Sequence, residues 1–407
     1  MKLKVRNFGP IRGGFGDYID FAKVVVFCGP QGSGKSTVAK LFSTLCWVEK
    51  WLFKMSFPFV QNVYTYEQFS ADLSWQGIGD YLDPTSEIDF IGSCYRILVE
   101  GARIKVELIE DASEYKMPKI MYMPAERNFV SIIRNALRVE NLPESLNNLQ
   151  VEFEGAKSKY KLGYKLPSNG FAFAFTEEKG ESWILNGEDG KSRTPLFQAS
   201  SGLQSIVPLL LVSEYLESEL SATGTIDVDK CFEKVAPEKR LLARKYFERV
   251  QAMQLEQKKE AEAIVRYMMP CTRFVNVVEE PEQNLYPSTQ CEVVDKLLAL
   301  ANRQAESGLV MSTHSPYVVN HLLLVAQAEE VVRHLGESGT PVTDLPLDRK
   351  ALTSAGDMRL YETHLDGSIT SLQGEDGYFS DENPMNRILA EFNERYAQLL
   401  ELQDAHA

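Results

Sequence analysis

The sequence predicts an α/β protein in which strands and helices alternate around a mainly parallel sheet. An all-apolar run over residues 24–28 is typical of a strand that is buried on both faces. An amphipathic stretch from residue 36 to about residue 51 follows it with helical spacing. The same order of strand and helix recurs over residues 274–305 and again over residues 308–334. The fold class is therefore α/β, with room for a large core in 407 residues.

Composition limits the classes of function. The formal net charge of −14 opposes broad, sequence-independent binding to nucleic acid, which depends on many Lys and Arg contacts to phosphates. No apolar run approaches the roughly 20 residues that span a bilayer. The N-terminal residues lack the apolar core of a secretory signal, and the six cysteines show no metal-ligand spacing. We therefore expect a cytoplasmic protein without a membrane partner.

The other segments differ in pattern. Residues 2–27 predict short strands separated by glycine turns, and residues 94–110 predict a hairpin that turns near Gly101. Residues 119–129 predict a strand and a proline break, followed by a helix through about Leu142. Strand-like alternation returns over residues 159–197. Two short strands and a final helix are expected after residue 350.

A phosphate-binding loop joins the first buried strand to its helix. The stretch GPQGSGKST fits the pattern G-x-x-x-x-G-K-[ST], and its position between a strand and a helix argues against a chance glycine turn. Glycines let the backbone N–H groups surround a β-phosphate, Lys35 neutralises phosphate charge, and the Ser36 hydroxyl is a Mg²⁺ ligand. The predicted nucleotide-binding residues are Gly29, Pro30, Gln31, Gly32, Ser33, Gly34, Lys35, Ser36 and Thr37.

Two acids follow the apolar strand over residues 274–278. We expect Glu279 to hold Mg²⁺ and Glu280 to act as the general base for the attacking water. The alternative is a pair of exposed acids at a strand end, which is a common arrangement. The phosphate-binding loop in the same chain favours the catalytic interpretation.

A histidine lies at the end of the third apolar strand, in VMSTHSPYVV. We interpret His314 as a catalytic residue that reaches the γ-phosphate and distinguishes ATP from ADP. Ser315 is a good N-cap and Pro316 a good first residue for the helix that follows. His314 as a linker before this cap is the alternative, and the two interpretations are compatible.

Residues 200–204, SSGLQ, lead directly into an apolar helix. Serine hydroxyls, a glycine N–H and a helix N-terminus together favour anion binding. Because the chain already has one phosphate loop, we expect this motif to contact a nucleotide held by a second, head-to-tail copy. The predicted contacts in trans are Ser200, Ser201, Gly202 and Gln204. An ordinary N-capped core helix is the alternative.

The order of these motifs resembles that of ATP-binding-cassette (ABC) ATPases, with SSGLQ in the place of their signature motif. Within that group the chain resembles the OLD-like (overcoming-lysogenization-defect) ATPases. The stretches that carry this second resemblance are NFGPI at 7–11, MPAER at 123–127, SSGLQ at 200–204, EEPEQNLYP at 279–287 and STHSP at 312–316. The resemblance implies a P-loop ABC-type core with an accessory β lobe. It also implies a homodimeric, ATP- and Mg²⁺-dependent ATPase of anti-phage defence or DNA metabolism.

Two further roles follow from the resemblance by position. Glu126 and Arg127 fall in a loop that links the site to the accessory lobe and couples ATP state to movement. Residues 281–285 fall in the loop that crosses the dimer interface. Full OLD proteins carry a Toprim nuclease with an Asp-x-Asp motif, and no such motif follows residue 334. The chain is therefore similar to the ATPases of Septu, PARIS and retron-linked systems, and a partner effector, a nuclease or toxin, would perform any cleavage.

We predict five segments in the chain. They are an ATPase core part at 1–52, a mixed α/β accessory segment at 53–118, core and lobe with the signature motif at 119–224, a short helical insertion at 225–268, and the remaining core at 269–407. The insertion is dense in Lys, Arg, Glu and Gln at helical spacing, which is typical of solvated helices.

Three functions compete at this stage. The leading one is an ATP-driven switch that controls the effector in response to DNA or a phage protein. A DNA-repair ATPase of the SMC or RecF kind is the runner-up, supported by a basic cluster in the insertion that interleaved glutamates oppose. A scaffold that holds ATP without hydrolysing it is the third. A transporter subunit has the least support.

Overall fold

The computed structural model describes most of the chain, with gaps. The described residues are 1–55, 64–109, 115–133, 139, 142–161, 163–167, 170–176, 180–186, 192–221, 269–337, 345–374, 379 and 383–404. The helical insertion expected at 225–268 lies outside these residues.

The described residues form sixteen strands and eight α-helices. The strands are β1 Lys2–Arg6, β2 Gly14–Phe15, β3 Ile19–Asp20, β4 Val24–Cys28, β5 Glu87–Ile91, β6 Tyr95–Glu100, β7 Arg103–Leu108, β8 Pro118–Met123, β9 Tyr164–Lys165, β10 Ala172–Thr176, β11 Glu181–Asn186, β12 Ser192–Pro195, β13 Arg273–Glu279, β14 Gly308–Ser312, β15 Met358–Thr363 and β16 Ser368–Ser371. The helices are α1 Lys35–Lys54, α2 Tyr66–Trp75, α3 Phe129–Ile132, α4 Glu144–Lys159, α5 Ser201–Ser218, α6 Pro287–Ala301, α7 Pro316–Glu337 and α8 Pro384–Asp404. Short 3-10 turns lie at Gly79–Tyr81, Ala125–Asn128, Leu196–Gln198 and Ala355–Asp357.

A seven-stranded central sheet positions the site. Its order is β2-β16-β15-β4-β14-β13-β8, and the strands from β15 to β8 are mutually parallel. The strand before the phosphate loop therefore lies beside the histidine strand β14, which lies beside the strand β13 that ends in two acids. Because the carboxyl ends of parallel strands meet at one edge, the loops after these three strands converge there.

Two antiparallel sheets flank the central sheet, and two hydrophobic cores fill the space between the layers. The five-stranded sheet has the order β3-β1-β5-β6-β7, and the four-stranded sheet has the order β12-β11-β10-β9. Along β4, Val25 and Phe27 pack into a core with α1 and the five-stranded sheet. Val24 and Val26 face the opposite core, which contains α5, α6 and α7. The alternation explains why every residue of β4 is apolar and buried.

The predicted α/β class is confirmed: a central sheet whose core strands are parallel lies between helices and carries additional antiparallel β structure. The hairpin near Gly101 and the two strands near the C-terminus are also present. The helix expected to run from MPAER to about Leu142 is wrong in extent, because α3 ends at Ile132 and Ile133 is extended. Two consecutive β-branched residues favour that extended backbone. No helix in the described part of the chain is long and apolar enough to cross a bilayer.

Candidate nucleotide-binding site

The phosphate loop has the backbone shape that anion binding requires. Gly34 caps the N-terminus of α1 at a φ of 99°, and a Cβ there would lie 2.3 Å from Cδ1 of Ile11. Gly32 also has a positive φ, of 76°, but nothing lies within 4 Å of the place where its Cβ would be. The loop is thus closed toward the protein at Gly34 and open at Gly32, where a phosphate would approach.

The side chains of the loop divide into buried and exposed groups. Lys35 is 5% exposed, and its Nζ donates to the carbonyl oxygens of Gly29 and Pro30 at 2.9 and 2.7 Å. Burial lowers the pKa of Lys35, although the nearby carboxylates oppose that change. Ser36 is exposed and open to a ligand. Thr37 is buried, so only its backbone N–H remains for the predicted contact with a nucleotide.

Other loop residues hold its conformation or lie at its tip. The buried Ser33 hydroxyl donates to the carbonyl oxygen of Pro30 at 2.6 Å and lies 2.5 Å from the hydroxyl of Thr363. Pro30 and Gln31 are exposed at the tip. The strand β15 therefore supports the loop from one side, a contact that the sequence pattern does not reveal.

Both acids after β13 lie near the loop, in different environments. Glu279 is 6% exposed, and its Oε2 accepts a bond from the Ala125 N–H at 3.3 Å. Its Oε1 is buried and accepts no hydrogen bond among the described residues. Glu280 is more exposed, and its backbone has a φ of 43°. This left-handed conformation is uncommon outside glycine and is typical of functional positions.

His314 lies between Glu280 and the phosphate loop. Its Nε2 is 3.5 Å from Oε1 of Glu280, and the Gly29 backbone lies close enough to the imidazole to favour its protonated form. Burial lowers the pKa of His314, the Lys35 charge lowers it further, and Glu280 opposes both effects. The predicted N-cap is present, because the Ser315 hydroxyl accepts a bond from the Val318 N–H at 3.4 Å.

A lowered pKa predicts that His314 is a neutral imidazole at pH 7. In a proton NMR titration of nucleotide-free protein, its C2–H resonance is expected to shift with a midpoint below 6.5. The His314→Gln variant identifies that resonance by its loss. A midpoint above 6.5 would show that the ion pair with Glu280, and not burial, controls the charge.

Glu282 lies in the loop 281–285, which the sequence assigned to the dimer interface, and sequence reasoning gave it no role of its own in the site. Its Oε1 accepts bonds from the Thr313 hydroxyl at 2.8 Å and from the His314 N–H at 2.7 Å. Its Oε2 is buried without a hydrogen bond partner in the described structure. Burial raises the pKa of Glu282, and these donors oppose the rise. Glu282 therefore holds the backbone of the histidine loop, and an acid two residues after Glu280 was the available signal.

The motif SSGLQ has an exposed end and a buried end. Ser200 and Ser201 are exposed at the start of α5, and the Ser200 side chain makes no capping hydrogen bond. At Gly202, a Cβ would lie 2.8 Å from the Asn284 carbonyl oxygen, so only glycine allows this close approach. Gln204 points into its own chain, donating to the Phe197 carbonyl oxygen at 3.1 Å. The side chain of Gln204 is therefore not presented to a second copy.

Arg127 joins the start of α5 to the two acids. It is fully buried, and its guanidinium donates to the carbonyl oxygens of Glu279 at 2.7 Å and Glu280 at 2.6 Å. Its Nε donates to the Ser205 carbonyl oxygen at 3.3 Å. Burial lowers the pKa of Arg127 to about 10, while the Glu282 and Glu280 carboxylates favour its charge. The neighbouring Glu126 is exposed.

Four of the predicted site residues come together in the described structure. Lys35, Glu279, Glu280 and His314 form one cluster at the edge of the central sheet. Among the described residues, no hydrogen bond or ion pair joins Ser201 to that cluster.

Comparison with known proteins does not assign a family to the chain. No family model matches it, and no curated protein matches it. Among solved structures, an SMC head bound to the C-terminal winged-helix domain of ScpA covers 92% of this chain and 98% of its own, at 12% identity and a TM-score of 0.38. The SMC head domain of Thermotoga maritima covers the same shares at 13% identity and a TM-score of 0.36. A third structure is an SMC head with an extended coiled coil, bound to the C-terminal domain of ScpA derived from Pyrococcus furiosus. It covers 96% of this chain and 98% of its own, at 12% sequence identity and a TM-score of 0.36.

Proposed function

We propose that the chain is an ATPase whose hydrolysis requires two copies bound head to tail. The observation that carries this proposal is the free N-terminal end of α5. Its two exposed serines remain available for an anion, and Arg127 connects the same helix to the catalytic acids. A second copy would place its Ser200, Ser201 and Gly202 against the γ-phosphate held by the first.

The residues present fit ATP with Mg²⁺. The open face at Gly32 leaves room for phosphates, and the buried, unpartnered Oε1 of Glu279 suits an interaction with a cation or its bound water. Ser36 supplies an exposed hydroxyl as a direct ligand. Among the described residues, no group of three or more His, Cys, Asp or Glu side chains could hold a metal alone. This fits Mg²⁺, which takes one or two protein ligands, with phosphates and water completing its shell and its charge polarising the phosphoryl group.

The protein groups have distinct tasks in this proposal. Glu280 accepts the proton of the attacking water, because it is the more exposed acid and projects from a strained backbone. Lys35 exchanges its two loop carbonyl bonds for phosphate oxygens and neutralises their charge. His314, fixed by Glu282 through its backbone, lies between the base and the loop. Its neutral imidazole can donate to the terminal phosphate without adding a full charge.

Arg127 provides the coupling in this proposal. Engagement of α5 by a nucleotide on the second copy would displace the Ser205 carbonyl, and the guanidinium would transmit that displacement to the peptide groups of Glu279 and Glu280. The exposed Glu126 beside it is free to contact the second copy or the lobe. ATP binding would thus assemble the base, and hydrolysis would release the two copies.

The cellular role that we propose is a cytoplasmic ATP-dependent switch in prokaryotic anti-phage defence, which controls a partner nuclease or toxin. The resemblance of five motifs to the OLD-like ATPases supports this role. A direct test is co-expression with the adjacent open reading frame. We expect a stable complex whose nuclease or toxin activity differs between ATP and ADP. A permease as the neighbour, or a complex that is indifferent to nucleotide, would contradict the role.

Two substitutions test the ATPase itself. Lys35→Ala is expected to weaken ATP affinity at least about tenfold, because the loop loses its only cation. Glu280→Gln is expected to retain ATP and to lower turnover on the order of a hundredfold or more, because the general base is lost. Phosphate release and fluorescent-ATP titration measure the two effects. The control is Glu107→Gln, which removes a solvent-accessible carboxylate on β7 of the five-stranded antiparallel sheet.

The wild-type rate distinguishes the leading function from the scaffold. If purified wild-type protein binds ATP but releases no more phosphate than Glu280→Gln, the chain is an ATP-dependent scaffold and not a hydrolase.

A further inference from the structure

The C-terminal helix α8 is attached to the rest of the described structure only near its first turn. The Asn383 side chain accepts bonds from the backbone N–H groups of Met385 and Asn386 at 3.1 and 3.0 Å. Asn386 in turn donates to Asn320 of α7 at 3.0 Å. Beyond this point every residue from 387 to 404 is exposed. The helix therefore projects from the body instead of packing on it.

One side of this projecting helix is apolar. Exposed apolar side chains recur every three or four residues, which places them on one stripe. They are Ile388, Leu389, Phe392, Tyr396, Leu399, Leu400 and Leu402. Phe392 and Tyr396, in the middle of the stripe, are 59% and 64% exposed. Most of the stability of a helix in a protein comes from packing of its apolar face, and α8 lacks that packing unless a partner covers the stripe.

The stripe has a symmetry that favours a second copy as that partner. About Glu394, six of these seven apolar positions mirror one another along the chain, whereas Leu402 mirrors the polar Asn386. Phe392 mirrors Tyr396, Leu389 mirrors Leu399, and Ile388 mirrors Leu400. A two-fold contact between identical antiparallel helices requires this property, because residue i must contact residue j while j contacts i.

The area of the stripe is also adequate for self-association. With typical side-chain areas, its exposed apolar surface is about 700 Å² per copy. The largest apolar patch on an ordinary monomer is roughly 300–600 Å², and a standard interface buries about 800 Å² per partner. Glu394 and Glu401 lie on the other side of the helix and Glu391 lies at the edge of the stripe, so all three would remain in solvent.

We propose that two copies of the chain associate through α8, antiparallel and independently of nucleotide. This contact is separate from the ATP-dependent one at the start of α5. It would keep two phosphate loops at a high local concentration throughout the ATP cycle. Asn320, which accepts the hydrogen bond from Asn386 of α8, lies in α7, the helix that begins just after His314. The proposed contact through α8 is therefore connected to the site by a single helix.

Sedimentation of the full chain without nucleotide tests this proposal. Wild type is expected to be a dimer over a wide dilution series. The double variant Leu389→Glu with Leu399→Glu places like charges opposite each other and is expected to halve the mass. The matched control Ala390→Glu with Ala397→Glu adds the same charge to the opposite side of α8 and is expected to remain a dimer. Unchanged ATP binding in all variants confirms that the body is folded.

A charge swap tests the antiparallel arrangement. Leu389→Glu with Leu399→Lys in one chain places a glutamate opposite a lysine twice, and is expected to restore the dimer. A parallel pair would instead align like charges and remain dissociated. Wild type that is monomeric without nucleotide, a dimeric double-glutamate variant or a monomeric charge-swap variant would each overturn the proposal. Ser201→Arg is expected to remain a dimer here, so this result is independent of the proposed ATPase mechanism.

Discussion

The Arg127→Met variant is expected to lose ATP turnover by on the order of a hundredfold while it still binds ATP. Methionine fills most of the volume of the arginine stem but donates no hydrogen bond to the carbonyl oxygens of Glu279 and Glu280. A displacement of a catalytic group by about 1 Å is enough to cost a factor of this size. Together with those of Ser205 and Pro124, four carbonyl oxygens lose their donor, so the free energy of unfolding should fall by about 3 kcal/mol.

Urea denaturation and phosphate release measure the two effects of Arg127→Met. Arg303→Met is the matched control, because Arg303 forms ion pairs with Glu214 and Glu217 at the far end of the same helix α5. That arginine is 44% exposed but its partner Glu217 is 7% exposed, so its loss should cost about 1–3 kcal/mol and leave turnover intact. If Arg127→Met destabilises the protein but turns over ATP like Arg303→Met, Arg127 supports the fold without coupling the motifs.

The Ser201→Arg variant is expected to keep its fold and ATP affinity and to lose turnover. Ser201 is exposed, so an arginine can extend into solvent within one chain, and the melting temperature should change little. In a head-to-tail pair the same arginine would occupy the space of the γ-phosphate. Thr194→Arg on the exposed strand β12 is the control and should be as active as wild type.

Complementation shows whether Ser201 acts in trans. When Ser201→Arg and Glu280→Gln are co-expressed, half of the random dimers contain one intact composite site. The mixture is therefore expected to reach about a quarter of the wild-type rate, although each variant alone is nearly inactive. A mixture with only the mean of the two residual rates would place both residues in one and the same active site within a chain.

The sequence was sufficient for the central elements because their patterns are strong. The run VVVFC has no polar residue, and the glycine-rich loop after it follows a fixed spacing, so β4, the loop and α1 could be located closely. The helices α2 and α4 were not predicted. Only two residues of α2, Phe69 and Leu73, are buried, and α4 is rich in Glu, Asn and Lys, so neither has a strong apolar stripe.

The site could be predicted in its residue types but not in its connections. The sequence indicated that Glu280 and His314 serve one reaction, but the distance between them depends on strand order. Arg127 and Gln204 donate their hydrogen bonds to backbone carbonyl groups. Every residue type carries such a carbonyl group, so the sequence does not indicate which ones are the partners. For the same reason the sequence predicted Gln204 at a subunit contact, whereas the structure shows its side chain bonded within its own chain.

The position of β4 in the central sheet has a consequence for how the protein folds. Val25 pairs with Val310 on one side and with Arg359 on the other, so both neighbours of this strand come from the last third of the chain. During synthesis the ribosome must release those distant residues before the strand is covered. The phosphate loop should therefore form late, and refolding should be slow. Until β14 and β15 have been synthesised, the apolar strand β4 is exposed, so the nascent chain should depend on chaperones.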